Sequence, residues 1–159
     1  MKKMKKFLII FMMICAMFTF TQSVFAEATP ITQWNVTYSP EIPNYYCDSL
    51  VSGHGGDYYA NLYMTSSWNY CSGAISGTTY VSDINQLLID WDYETWDSGS
   101  AEIDLYVGYD GGSEYIDLSG SSGTAAIDLR GYSGPVTITL EAYSYGYRRI
   151  DANIYISYQ

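Results

Sequence analysis

From about residue 33 onward, apolar and polar side chains alternate one by one, and Gly, Ser, Asp or Pro interrupts the pattern every few residues. A period of two sets one face of a strand against a core and the other toward water, whereas an amphipathic helix needs a period near 3.6. In QWNVTY, Trp34, Val36 and Tyr38 share one face; in DYYANLYMTSSW, Ala60, Leu62 and Met64 share one, with Tyr59, Asn61 and Tyr63 opposite. LLIDWDYE turns Leu87, Ile89, Trp91 and Tyr93 inward, and AEIDLYVGY does the same with Ala101, Ile103, Leu105 and Val107. PVTITLEAY and IDANIYISY continue the pattern through Val136, Ile138, Leu140 and Ala142, then Ala152, Ile154, Ile156 and Tyr158. Shorter strands are expected near 70–76, 78–81, 113–118 and 124–129. One-faced burial suits antiparallel sheets packed face to face, and no helical segment is available for parallel crossovers. The expectation is an all-β fold, an antiparallel two-sheet β-sandwich of nine or ten short strands. VSDINQL is expected to form a short helical connector, and GYDGGSE, SGSSGT and GYSGP are expected to form turns.

The first 26 residues follow a different rule. Lys2, Lys3, Lys5 and Lys6 precede an apolar run from Phe7 to about Phe20, and SVFA supplies small or branched residues before Glu27. This is the plan of a secretory signal peptide cleaved after Ala26, leaving 27–159 as one domain. The apolar run falls short of the roughly 20 residues needed to cross a bilayer, so the mature chain is expected to have no membrane span. Cleavage removes every lysine: three arginines then face seventeen Asp and Glu, a net charge of −14. Such a surface repels phosphate backbones, which argues against nucleic acid as a partner. The expected location is extracellular, and the short Lys-rich leader has a bacterial character. Cys47 and Cys71 are then expected to pair as a disulfide, closing a loop worth about 3 kcal/mol.

The segment from Ala125 to Gln159 resembles the closing strands of jelly-roll sandwiches of the galactose-binding-like and carbohydrate-binding-module kind. The residues that carry the likeness are Ile127, Asp128, Leu129, Tyr132 and Gly134, then the strand Val136–Ala142, then Asn153 with Ile154. The resemblance implies a jelly-roll order of strands and a sugar ligand. Many such modules place Asp directly before that Asn as a calcium ligand; here Ala152 stands there, and Asp151 lies one place earlier.

Catalytic constellations are weighed by what is missing. His54 is the one histidine, expected in a solvated loop, and the mature chain has no lysine, so nucleophile–base pairs are hard to assemble. A glycosidase would need two carboxylates about 5 Å or 6.5–9.5 Å apart across a cleft, and Glu94, Glu102, Glu114 and Glu141 fall at strand ends or on outward faces. Asp90, Asp92 and Glu94 stand in a row on one strand face; a hairpin with the next strand would add Glu102 and Asp104. That set is a candidate calcium site, although no cofactor is required, and a solvated acidic face is the simpler explanation. Eighteen tyrosines, among them Tyr59, Tyr63, Tyr106, Tyr143 and Tyr155 at outward parity, offer rings for stacking on sugars or for self-association. In EAYSYGYRRID, Tyr143, Tyr145, Tyr147, Arg148 and Arg149 gather rings and two of the three cations on an expected hairpin loop. They form the candidate ligand site. The sequence therefore points to a non-catalytic module that binds a glycan or another cell-surface ligand, with a self-assembling extracellular protein and a small glycosidase as alternatives.

Overall fold

A computed structural model describes residues 27–39, 51–66, 70–97, 99–146 and 148–159. Among the described residues, nine strands form in chain order: β1 (Glu27–Ala28), β2 (Trp34–Ser39), β3 (Val51–Gly56), β4 (Tyr59–Ser66), β5 (Tyr70–Trp96), β6 (Ser100–Tyr109), β7 (Gly112–Asp117), β8 (Ser122–Tyr145) and β9 (Arg148–Tyr158). All pairings are antiparallel. Cys47, Tyr147 and residues 1–26 lie outside the described residues.

Two long strands organise everything else. The first half of β5, up to Val81, pairs with β2 and with the second half of β8, which pairs in turn with β6; β6 pairs with the edge strand β7. From Gln86 onward, β5 pairs with the first half of β8 and with β9, which leads to β4 and then the edge strand β3. Thus β5 and β8 pass through both layers, and the result is a two-sheet antiparallel β-sandwich of jelly-roll type.

The expected helical connector VSDINQL is the bend in β5. Its register with β8 slips between Val81 and Ile84 and again between Ile84 and Gln86, and Asp83 takes a positive φ of 53°. Opposite it, Arg130 (φ 51°) and Gly131 (φ 75°) bend β8, and Ser133 Oγ accepts the Asp83 amide at 2.9 Å. An irregular pair of bulges turns a strand without ending its ladder, so segments that look separate by sequence are continuous.

Two expected hairpins are absent for the same reason. β5 and β6 follow each other in sequence, yet β5 ends in the second sheet and β6 lies in the first; β8 and β9 are likewise split. The short connections after Trp96 and Tyr145 therefore cross the sandwich. By contrast, β6 and β7 do form a hairpin, with Gly111 at φ 99° in its turn.

The core forms where the inward parities meet. Ile75, Leu105, Ile138 and Leu140 from the first sheet and Leu62, Met64, Ile89, Ile150 and Ile154 from the second are fully buried. Each contributes about 1.5–3 kcal/mol by leaving water. Trp34 lies between the sheets, donating its indole N–H to the Gly56 carbonyl at 2.9 Å. A Cβ on Gly55 would sit 2.3 Å from Trp34 Cδ1, and one on Gly77 would sit 2.8 Å from its ring, so both glycines are there to admit the indole. His54 stands between such glycines on β3, in a strand rather than a loop.

Candidate functional site

The outer face of the second sheet, built by β3, β4, β9, β5 and β8, carries the most complete set of recognition groups. Strand register sets them in rows: Ser52, Tyr63, Asp151 and Glu94; then His54, Asn61, Asn153 and Asp92; then Tyr59, Tyr155, Asp90 and Thr124. The middle row is wired together. Asn61 Nδ2 donates to Asp151 Oδ1 at 2.5 Å and to Asn153 Oδ1 at 2.9 Å, and Asn153 Nδ2 donates to Asp92 Oδ1 at 2.9 Å. The Tyr59 hydroxyl adds a third donor to this network, reaching Asn153 Oδ1 at 3.0 Å. Thr124 Oγ1 donates to Asp90 Oδ1 at 2.5 Å. Donors thus hold Asp90 and Asp92 of the acidic row of β5, whereas Glu94 stands directly across from Asp151.

Rings flank the polar rows. Tyr59 and Tyr155 lie with centroids 5.2 Å apart at 38°, and His54 meets Tyr59 edge-on at 5.8 Å. Tyr155 is 46% exposed. Burial, followed by the nearby Tyr155, Asp151 and Asp92, raises the Tyr59 phenol above its ordinary value, so Tyr59 stays a hydrogen-bond donor at any physiological pH. At the end of the face, Trp96 is 42% exposed and stands across from Arg149, whose Nε is 3.7 Å from Asp97 Oδ2. Asn61 itself is buried, so the face offers large rings, fixed acceptors, the Asn153 amide and one guanidinium.

The five residues of EAYSYGYRRID do not gather at one point. Tyr143 and Tyr145 lie on the outer face of the first sheet beside Tyr70, with centroids 5.9 and 4.9 Å away. Arg149 is on the opposite face. Arg148, at inward parity, fastens the crossing after β5: its guanidinium donates to the Asp97 carbonyl at 3.1 Å, to the Gly99 carbonyl and to Thr95 Oγ1 at 2.7 Å. Tyr147 lies outside the described residues. The sandwich separates these side chains because Tyr145 ends a strand in one layer and Arg148 begins a strand in the other.

The candidate calcium set is divided in the same way. Asp90, Asp92 and Glu94 face outward on the second sheet, whereas Glu102 and Asp104 lie on the first, opposite Tyr143 and Glu141. Among the described residues, no group of three or more His, Cys, Asp or Glu is arranged to hold a metal ion. Asp104, expected to face water, is only 2% exposed. It stands between Asp117 of β7 and Glu141 of β8 and accepts the Tyr115 hydroxyl at 2.9 Å. Burial raises the Asp104 carboxyl above the usual carboxylate range; the Tyr115 hydrogen bond opposes this, and Glu102, Asp117 and Glu141 add to it.

Cys71 is fully buried on β5, and its expected partner Cys47 is outside the described residues. Asn61 and Asn153 are the residues whose part the sequence reading left open. The available signal was compositional: Asn is depleted in strands, so two of them at outward mid-strand positions called for a reason. The departure at Ala152 also has one, since Ala152 is buried in the core and Asp151 shares the outer face with Asn153.

No family model and no curated relative matches the chain by sequence. Its fold does match solved structures. TmCBM61 in complex with β-1,4-galactotriose superposes with a TM-score of 0.51 at 14% identity, over 82% of this chain and 91% of that one. A family 11 carbohydrate-binding module from Clostridium thermocellum, in complex with a β-1,3-1,4-mixed-linked tetrasaccharide, gives 0.38 at 12% identity, covering 82% and 95%. A CBM4 structure gives 0.36 at 14% identity, covering 79% and 86%. The chain has the jelly-roll β-sandwich fold of carbohydrate-binding modules.

Proposed function

We propose that this protein is a secreted, non-catalytic glycan-binding module whose ligand lies across the outer face of the second sheet. The observation that carries the reading is the juxtaposition of the Tyr59–Tyr155 pair with the hydrogen-bonded row Asp151–Asn61–Asn153–Asp92. Rings of this kind take the C–H face of a pyranose, while carboxylates and amides already held in place meet its hydroxyls without further ordering. Trp96 and Arg149 extend the same surface toward the crossing that Arg148 fastens. The non-catalytic reading is supported by the placement of these acids: Asp90, Asp92, Glu94 and Asp151 lie side by side on one sheet surface, not facing each other across a cleft. The galactotriose in the TmCBM61 complex makes β-1,4-galactan a sensible first ligand to try.

Affinity electrophoresis against a panel of soluble glycans, followed by calorimetry, tests this. At least one glycan is expected to retard the protein, and Trp96→Ala with Tyr155→Ala should weaken binding by about 2 kcal/mol or more, as for buried aromatic anchors. If no glycan retards the protein, or the double variant binds as well as the parent, this surface is not the site. Export and the Cys47–Cys71 bond belong to the same proposal. Both are read from the intact mass of protein recovered outside the cell, which should begin at Glu27 and weigh two hydrogens less than the reduced chain.

A further inference from the structure

Away from both outer faces, the two sheets end above one another at β7 and at the first half of β8, and the space between them is open. This leaves a cleft of about 580 Å³, within the range of small-molecule sites. On one wall, Glu114 and Ile116 pair with the core residues Val107 and Leu105, so a carboxylate occupies a position of inward parity. On the other wall, Ile127 and Leu129 are buried at the base, and Asp128 and Arg130 form the lip.

The charges in this cleft are not equivalent. Arg130 pairs with Asp128 at the exposed lip, with Nε 2.8 Å from Oδ2. Among the described residues, no hydrogen bond or ion pair engages Glu114. Tyr109 also lines the cleft, two residues from the partner of Glu114 and on the same side of β6. Its ring is held edge-on against Tyr132 at 5.6 Å, and Tyr132 is itself locked: its hydroxyl donates to the Pro135 carbonyl at 3.0 Å and accepts the Asp110 amide at 3.1 Å.

A fixed ring, an apolar base and one uncompensated carboxylate complement a ligand with a methylene stem and a cationic head. We propose that this cleft binds an aliphatic primary amine, its stem along Ile116, Ile127 and Leu129 and its ammonium at Glu114 beside Tyr109. The net charge of the chain from Glu27 onward, −14, draws such cations from solution. The amine comes either from the lysine side chain of a basic partner or from a free diamine. The site is separate from the glycan face and does not depend on it.

The test is an NMR titration of the full chain with three probes: Nα-acetyl-lysine amide, 1,5-diaminopentane and the uncharged 1-pentanol. The amines are expected to shift the amides of 109–116 and 127–130 and leave the Tyr59–Tyr155 face unmoved. Salt should weaken binding, and Glu114→Gln should weaken it about tenfold, the loss expected for a charge-assisted contact. Glu114 is exposed, so an unchanged spectrum elsewhere will show that the variant is folded. Binding of the lysine derivative alone identifies a protein source, and binding of the diamine alone a free one. Pentanol binding as well as the amines, no shifts in the cleft, or undiminished binding by Glu114→Gln would each overturn the proposal.

Discussion

The two outer faces of the sandwich start from the same materials and finish differently. Each carries tyrosines in neighbouring strands and a row of acids, but on the second sheet Asn61 and Asn153 donate to Asp151 and Asp92, leaving Glu94 across from Asp151 as the one directly opposed pair of acids among the described residues of that face. On the first sheet, Glu141, Asp104 and Asp117 lie side by side across three strands, and the Tyr115 phenol donates to Asp104. Like charges set directly across strands repel, and a buried carboxylate with one hydrogen bond is poorly compensated. The lesson is that a few interspersed amides decide whether an acidic strand face becomes an ordered recognition surface or a site of stored repulsion.

The largest expected break in this contrast is Asn153→Ala. It removes the acceptor of Tyr59 and Asn61 and the donor to Asp92 together, so chemical denaturation should show a loss of about 2 kcal/mol, with glycan binding reduced as well. A loss under half of that would mean the row is not a unit.

Tyr115→Phe comes next. With the phenol gone, Asp104 loses a donor while still buried, and stability at neutral pH should fall, by less than for Asn153→Ala. In the parent protein the hydrogen bond to Asp104 is the main reason that Tyr115 is pushed up to about 12. The folded state then holds its proton more tightly than the unfolded chain does, so the contribution of this group is full below about pH 10 and is lost as pH rises toward 12. An ultraviolet titration should show a late tyrosine that Tyr115→Phe removes. Tyr143 is raised as well, by burial first and then by its hydrogen bond to Glu141, so a late-titrating component should survive in the variant.

The smallest effect, and the one with the opposite sign, belongs to Asp104→Asn. Because the folded state raises this carboxyl, its contribution is most favourable below the ordinary carboxylate range and is lost as pH rises through the raised value. Asn keeps an acceptor for Tyr115 without the charge, so the variant should be more stable than the parent at neutral pH and equal to it in acid. Thermal melts at the two pH values check this; a variant less stable than the parent at pH 7 would show that the acid row is not repulsive.

Much of this architecture was legible residue by residue. The inward sets Leu62–Met64, Leu87–Ile89, Leu105–Val107 and Ile138–Leu140 follow from period two, because burial on one face leaves a direct mark on the chain. Pairing partners leave no such mark. Nothing within LLIDWDYE and AEIDLYVGY says that they lie in different layers; that depends on bends at Asp83 and Arg130, where a left-handed conformation is favoured by Asp over most residues but dictated by neither. The same uncertainty displaced the site. Tyr145 and Arg149 are four residues apart in sequence but belong to opposite faces, whereas Asn61 and Asn153 are ninety-two apart and hydrogen-bonded.

The position of β9 also sets a schedule. Arg148–Tyr158 lies in the interior of the second sheet, between β4 and β5, and the first half of β5 finds its partner some sixty residues later in β8. Pairings that distant are slow to form and cannot begin until the late strands are present. The face proposed for glycan binding is therefore among the last parts of the molecule to be assembled, and a chain still being synthesised cannot pair Tyr59 with Tyr155 before Tyr155 arrives.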